Sequence, residues 1–245
     1  MNSLKGKIIL ITGATTGIGE ASAKRCAEAG GFVIVSGRNK NHGEKVVNEI
    51  IKNGGSALFL QMDINTEESI NAAYAFLMDE NIYIDILINN AGAYFCDLEF
   101  EKMASCFNNE IISTNLEGTI MVTKKFLPII RQRKGSILFT SSVGGLDVYT
   151  NGGGYLYSAC KAGVIKFAKL LAKNYGSEIR VNIVCPGVIK TSFYTNFNEQ
   201  KYIERIPMGR VGIPEDIAKV INFLVSDDAE YINGSVLTVD GGLSL

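Results

Sequence analysis

The stretch KIILITGATTGIGEASAKRCAEAG, residues 7–30, decides the fold. Its opening KIILIT (7–12) is a β-branched run of the kind that fills a buried strand, and Gly19 to Ala29 spaces apolar residues as a helix does. Between them lies TGATTGIG (12–19). In a strand–turn–helix unit Gly13 permits the tight turn and Gly17 lets backbone approach a pyrophosphate. Gly19 lets the helix pack on the strand, and the helix N-terminus faces the phosphate charge.

The same alternation continues outward. Strand-like runs recur at FVIVS (32–36), SALFLQ (56–61), IDILIN (84–89), GSILFT (135–140), IRVNIV (179–184) and SVLTV (235–239). Nearly continuous apolar runs suit strands buried on both faces of a parallel sheet. Helical spacing separates them at Asn41 to Lys52, Glu67 to Met78 and Ala159 to Ala172. The expected fold class is α/β: one Rossmann-type, doubly wound parallel sheet of about seven strands with helices on both faces. Ligands in such a sheet bind in the crevice at the carboxyl ends of the strands. Neither a repeat nor a Pro/Gly/Ser-rich linker divides residues 1–245, so a single domain is expected. The region 191–213, with Phe193, Tyr194, Phe197 and Tyr202, lacks periodicity and reads as a mobile lid over the substrate.

Composition removes several function classes. Hydrophobic residues make up 47% and charged residues 20%, the balance of a packed globular domain. Lys plus Arg number 24 against 25 Asp plus Glu, without like-charge blocks, which argues against nucleic-acid and membrane partners. Residues 1–7 are too short and polar for a signal peptide, and a cytoplasmic protein is expected. The five cysteines (26, 96, 106, 160 and 185) form no CxxC pair and read as reduced and structural. His42 is the only histidine, so a histidine triad or multi-histidine metal site cannot form within one chain, and no metal is expected.

The second strand run ends in Ser36-Gly37-Arg38, where the usual NAD fingerprint has an acidic residue for the ribose hydroxyls. Gly37 leaves room there, and Arg38 offers a planar cation suited to a 2′-phosphate. NADP(H) is therefore favoured over NAD(H), the alternative being that Arg38 is a solvated surface charge. Asp63 after the third run can accept from an adenine amino group or cap the helix before Glu67. Asn89-Asn90-Ala91-Gly92 after the fourth places small residues beside a ribose.

Of ten tyrosines, only Tyr157 has a lysine four residues on, Lys161, and helical spacing puts the two on one face. A free phenol has a pKa of about 10. A cation one turn away is expected to lower it, so that Tyr157 exchanges a proton with a carbonyl or alcohol oxygen. Lys161 can also bond a nicotinamide ribose. Ser142, in FTSSVGG, can bind the substrate oxygen as charge develops, and Asn115 can hold a water that supplies Lys161.

Together these residues resemble the short-chain dehydrogenase/reductase family, in the short single-domain branch that includes 3-oxoacyl-carrier-protein reductases. The resemblance runs from TGATTGIG through Asp63, NNAG (89–92), Asn115, Ser142 and Tyr157-x-x-x-Lys161. It continues through Pro186-Gly187-x-x-x-Thr191 to the segments Pro214-Glu215-Asp216 and Val239-Asp240-Gly241-Gly242. It implies a catalytic tetrad of Asn115, Ser142, Tyr157 and Lys161. Cofactor contacts are implied from Gly13, Thr15, Thr16, Gly17, Ile18, Gly19, Arg38, Asp63, Ile64, Asn90, Ala91 and Gly92. Tyr157, Lys161, Pro186, Gly187, Ile189 and Thr191 complete that set. A homotetramer built partly on the helices carrying Asn115 and Tyr157 is also implied. Ser142 and Tyr157 stand 15 residues apart, more than this branch leads one to expect, so a small loop insertion beside the substrate is anticipated. Ser141 is the rival serine, and Ser142 fits the SxxG pattern ending at Gly145 better.

The activity expected is interconversion of a ketone and a secondary alcohol with NADP(H). A non-catalytic NADP(H) sensor is the alternative from another class, although it has no reason to keep all four tetrad residues. An NAD-dependent alcohol or hydroxysteroid dehydrogenase is the alternative among enzymes, and a sugar-nucleotide epimerase would need a further substrate domain. The partner is a small carbonyl or alcohol substrate: a 3-oxoacyl thioester, steroid, small ketone or polyol.

Overall fold

The computed structural model describes residues 3–94, 105–150, 154–191 and 199–245. Seven strands form one parallel sheet in the order β3-β2-β1-β4-β5-β6-β7. They are β1 (Ile8–Ile11), β2 (Phe32–Gly37), β3 (Ser56–Gln61), β4 (Ile86–Asn89), β5 (Ser136–Thr140), β6 (Arg180–Pro186) and β7 (Val236–Val239). Each matches an expected run to within two residues at either end. The helices are α1 (Gly17–Glu28), α2 (Lys40–Lys52), α3 (Glu67–Asp79), α4 (Ser105–Ile112), α5 (Gly118–Gln132), α6 (Tyr155–Tyr175), α7 (Glu199–Ile203) and α8 (Pro214–Val225).

Alternation along the strands divides the core into two layers. Leu10, Ile34, Leu87, Ile137, Phe139 and Ile183 face one way and pack with Leu77, Phe126 and Ala168. Ile9, Ile11, Val33, Val35, Ile88 and Val184 face the other and meet Ala23, Val46, Ile217 and Ile221. The expectation that every strand is buried on both faces fails at the two edges. Ser56 and Gln61 of β3 are exposed, as is Leu237 of β7, because an edge strand has only one neighbour.

Three features escape the sequence pattern. Helix α6 starts four residues before the periodic run at Ala159 and ends three after it, which brings Tyr157 into its first turn. Between α4 and α5, residues Ser113–Glu117 form a π-helical turn. In the 191–213 region, α7 and a backbone bridge between Ile189 and Gly212 give local order. Phe193, Tyr194 and Phe197 lie outside the described residues. So do Cys96 and the side chain of Cys106, while Cys26, Cys160 and Cys185 are buried free thiols.

The end of the sheet opposite the crevice is pinned by Asp85. One carboxylate oxygen accepts from the Ile8 backbone N–H at 2.8 Å and the other from Arg133 Nε at 2.8 Å. The aspartate side chain is 8% exposed and the arginine 47%. Removing the buried partner leaves the Ile8 N–H unsatisfied. Asp85→Ala is therefore expected to lose about 2–4 kcal/mol in chemical denaturation, whereas Arg133→Ala loses under about 1 kcal/mol. Equal losses would contradict this assignment.

Candidate active site

At the carboxyl ends of the strands a cavity of about 420 Å³ runs from the α1 turn to the start of α6. Strand order reverses at β1 and β4, and their ends are tied together there. Thr12 Oγ1 accepts from the backbone N–H groups of Asn90 (3.0 Å) and Ala91 (3.1 Å). The Asn90 amide donates back to the carbonyls of Thr12 (3.3 Å) and Gly13 (3.2 Å).

The cavity fits a dinucleotide on several counts. Helices α2 and α3 are capped by the side chains of Asn39 and Thr66, whereas α1 begins at Thr16 without a side-chain cap. Its first-turn N–H groups are left for an anion. Gly13 (φ +63°) and Gly17 (φ +57°) hold left-handed backbone. A Cβ on Gly13 would sit 2.8 Å from Ala91 Cα, and one on Gly17 3.2 Å from the Thr191 methyl across the cleft. Two buried hydroxyls that line the cavity, Ser36 Oγ and Thr140 Oγ1, have no hydrogen-bond partner among the described residues. Arg38 is exposed at the rim, and among the described residues its guanidinium has no ion-pair partner. Asp63 lines the cavity beside Ile64 and is not the α3 cap, since Thr66 takes that position and accepts from Ser69 N.

Of the expected cofactor residues, Gly19 alone does not line the cavity; it packs against the Gly13 carbonyl and the Asn90 amide. Sequence reading missed Ser36, Thr140, Met62, Asn65 and Thr114, which do line it. Ser36 and Thr140 sit at the carboxyl ends of β2 and β5, where strand ends alone could have drawn attention to them. Asn65 and Thr114 are joined by a 3.0 Å hydrogen bond that links elements far apart in sequence.

Ser142, Tyr157 and Lys161 converge at the far end of the cavity. The Val143–Gly145 turn lies directly on α6: a Cβ on Gly145 would stand 2.7 Å from the Lys161 carbonyl carbon. That approach, which only glycine allows, brings Ser142 into hydrogen-bonding contact with the Tyr157 phenol. Ser142 Oγ also accepts from Gly144 N at 3.1 Å. Ser141, the rival serine, donates its hydroxyl to the Lys161 carbonyl at 2.9 Å and so serves the helix backbone. Lys161 Nζ donates to the Thr140 carbonyl at 3.1 Å and lies 5.5 Å from the Tyr157 ring centroid.

Burial, rather than the lysine, governs the phenol. It pushes Tyr157 up to about 12, with the Ser142 hydrogen bond acting in the opposite direction. The same desolvation pulls Lys161 down to about 8. The expectation that Lys161 lowers the Tyr157 pKa is thus corrected for the protein without ligand, because a buried ammonium is itself disfavoured.

Asn115 is fully buried in the π-helical turn and does not line the cavity. Its Nδ2 donates to the carbonyls of Ala93 (2.7 Å) and Ile111 (2.9 Å), and its Oδ1 accepts from Ala93 N (3.3 Å). Both amide atoms are thus engaged by backbone, and the side chain clamps the loop after β4.

A parallel sheet in this order, with a dinucleotide cradle and a Ser–Tyr–Lys group at its crevice, defines an NAD(P)-dependent oxidoreductase. Comparisons agree. The family model described as Enoyl-(Acyl carrier protein) reductase matches residues 13–244. The 3-oxoacyl-(acyl-carrier-protein) reductase FabG of Aquifex aeolicus is 42% identical over 246 residues, covering 98% of each chain. Meso-2,3-butanediol dehydrogenase of Serratia marcescens is 32% identical over 240 residues, covering 96% of this chain and 94% of the relative. Among solved structures, a 3-ketoacyl-(acyl-carrier-protein) reductase from Brucella melitensis complexed with NADH superposes with a TM-score of 0.92 at 33% identity. That match covers 98% of this chain and 99% of the other. The chain belongs to the short-chain dehydrogenase/reductase family, closely related to the FabG-like reductases. No described helix is long and apolar enough to cross a membrane.

The depressed Lys161 pKa makes stability depend on pH. Above about 10.5 the lysine is neutral folded and unfolded; between 10.5 and about 8 the unfolded chain binds the extra proton, so stability falls as pH falls through this window. Relative to Lys161→Met, the ligand-free wild type should gain about 2 kcal/mol between pH 7.5 and 9.5, read by denaturant titration. A difference that stays flat over that range would rule out a depressed lysine.

Proposed function

We propose that the chain is an NADP(H)-dependent oxidoreductase that interconverts a ketone and a secondary alcohol. The observation that carries this reading is the convergence of Ser142, Tyr157 and Lys161 on the end of a cavity whose other end is built for a dinucleotide. The α1 turn from Gly13 to Gly19 would hold the pyrophosphate, with Asp63 and Ile64 at the adenine. Asn90, Ala91 and Gly92 would flank the ribose, and Pro186, Gly187, Ile189 and Thr191 the nicotinamide end. The nicotinamide ring, when bound, supplies hydride to the carbonyl carbon or takes it from the carbinol carbon.

The chain's own residues handle the oxygen. Ser142 donates to the substrate oxygen and Tyr157 passes it the phenolic proton during reduction. A phenol held near 12 is protonated at neutral pH and so starts as the acid. Lys161 bonds the ribose beside it and, once charged, favours the phenolate left behind. Asn115 supports this group by fixing the loop that borders it. Residues 191–213 form the substrate lid, and the long helices α5 and α6 build a homotetramer.

Tyr157→Phe keeps the ring and removes the transferable proton. NADPH oxidation against a panel of carbonyl compounds is expected to slow about 10²–10⁴-fold, with NADPH binding by fluorescence within a few-fold of wild type. An unchanged rate would sink the mechanism, and NADPH binding without turnover of any panel member would favour the sensor reading.

The preference for NADP(H) rests on Arg38, an exposed guanidinium beside Gly37 with no acidic residue at the strand end. Arg38→Ala should raise the KM for NADPH roughly 10- to 100-fold and change that for NADH less than about threefold, as loss of a charge-assisted contact implies. Equal effects on the two would show that Arg38 does not meet a 2′-phosphate.

A further inference from the structure

Ser141, the partner of Ser142 in the serine pair after β5, is left unused by the chemistry proposed above. It is 3% exposed, and its backbone N–H donates to the Val184 carbonyl of β6 at 2.8 Å. Its hydroxyl donates to the Lys161 carbonyl at 2.9 Å, across 20 residues of chain. The residue before it, Thr140, accepts from the Lys161 Nζ on its own carbonyl at 3.1 Å. Two consecutive residues at the end of one strand thus hold the two ends of a single lysine, its backbone and its amine. The residue after them, Ser142, meets the Tyr157 phenol.

The Ser141 bond is not needed to satisfy the helix. Lys161 lies in the interior of α6, where a carbonyl accepts the N–H four residues on. The hydroxyl occupies the second lone pair of that oxygen. What the bond adds is placement: it fixes the height and rotation of α6 one turn after Tyr157, about 6 Å along the helix axis. Gly145 presses on the same point, since its added Cβ would stand 2.7 Å from the Lys161 carbonyl carbon and 2.8 Å from Ala162 N. Packing of that kind sets a distance, whereas a hydrogen bond also sets a direction. Lys161 Nζ lies 5.5 Å from the Tyr157 ring centroid, a range at which small displacements in a buried site change the electrostatic interaction between the two groups.

We infer that Ser141 is a positioning residue: by holding the Lys161 carbonyl it fixes where the lysine ammonium stands beside Tyr157, and so sets the rate at which the phenol gives up its proton. This rests on the reading that Tyr157 and Lys161 handle the proton of the substrate oxygen, and it adds a residue that acts on that step through another.

The test separates chemistry from binding. With enzyme in excess over NADPH, a single turnover of NADPH oxidation is followed with ethyl 3-oxobutanoate or 3-hydroxybutan-2-one, whichever wild type reduces faster. The Kd for NADPH is read by fluorescence, and wild type, Ser141→Ala, Ser141→Thr and Tyr157→Phe are compared, with thermal melting for each. Ser141→Ala should melt within about 3 °C of wild type, since the helix carbonyl keeps its own donor. Its single turnover should slow about 10- to 100-fold, with the Kd for NADPH within about threefold. Ser141→Thr keeps the hydroxyl and should recover to within about threefold of the wild-type rate. Ser141→Cys, with its weaker S–H donor, stands in for either variant that does not fold and should fall between alanine and wild type. A merely structural serine would lower the melting temperature and leave the turnover of the folded protein within about twofold of wild type, which overturns the inference. So does a folded threonine variant as slow as alanine, or a Kd that rises in step with the lost rate. If Ser141→Ala keeps the wild-type rate while Tyr157→Phe is slow, the inference alone falls. An unchanged Tyr157→Phe, or silence of wild type on every carbonyl compound, removes the underlying reading with it.

Discussion

The hydroxyl of Thr12 is the tie on which the site depends. It sits just past β1, beside β4, where the sheet's winding reverses and two loops diverge to open the crevice. By accepting the N–H groups of Asn90 and Ala91 it fixes the loop after β4 against the glycine turn, and the Asn90 amide answers by gripping the turn's own carbonyls. Asn115 takes hold one residue pair further on, at Ala93. A relay of polar clamps therefore runs from the start of α1 to the residues bordering α6, and each clamp pairs a buried or half-buried side chain with backbone groups.

The chemistry at the far end follows from how little charge is placed around it. Lys161 is buried and bonds a backbone carbonyl, not a carboxylate, so its ammonium is held in place without being neutralised. The Tyr157 phenol is hydrogen-bonded to the Ser142 hydroxyl. Both side chains are thereby biased toward their uncharged forms, a condition that a bound, charged cofactor can alter.

The strands, their parallel arrangement and the glycine turn were legible because buried parallel strands and phosphate turns leave dense local patterns. Tyr157 and Lys161 were legible through helical spacing, and Ser142 was preferred over Ser141 on an SxxG pattern whose physical reason is the approach of Gly145 to α6. The role of Asn115 was not legible, because it follows from a π-helical turn that no spacing announces and from a partner 22 residues away. The direction of the Tyr157 shift was missed for a related reason. Local sequence shows a nearby cation, whereas desolvation is a property of everything that packs around the group. Thr114 and Asn65 escaped because their pairing is tertiary.

The two hydroxyls in the cleft that lack a hydrogen-bond partner among the described residues, at Ser36 and Thr140, have a bearing on the life of the protein in a cell. Burial of Lys161 lowers stability at neutral pH, and a dinucleotide that met these hydroxyls would, by binding the folded chain, raise it by mass action. Abundance would then be coupled to metabolism: when the nicotinamide pool is depleted, more of the population opens and becomes accessible to proteases, and when it is replete the same chains persist.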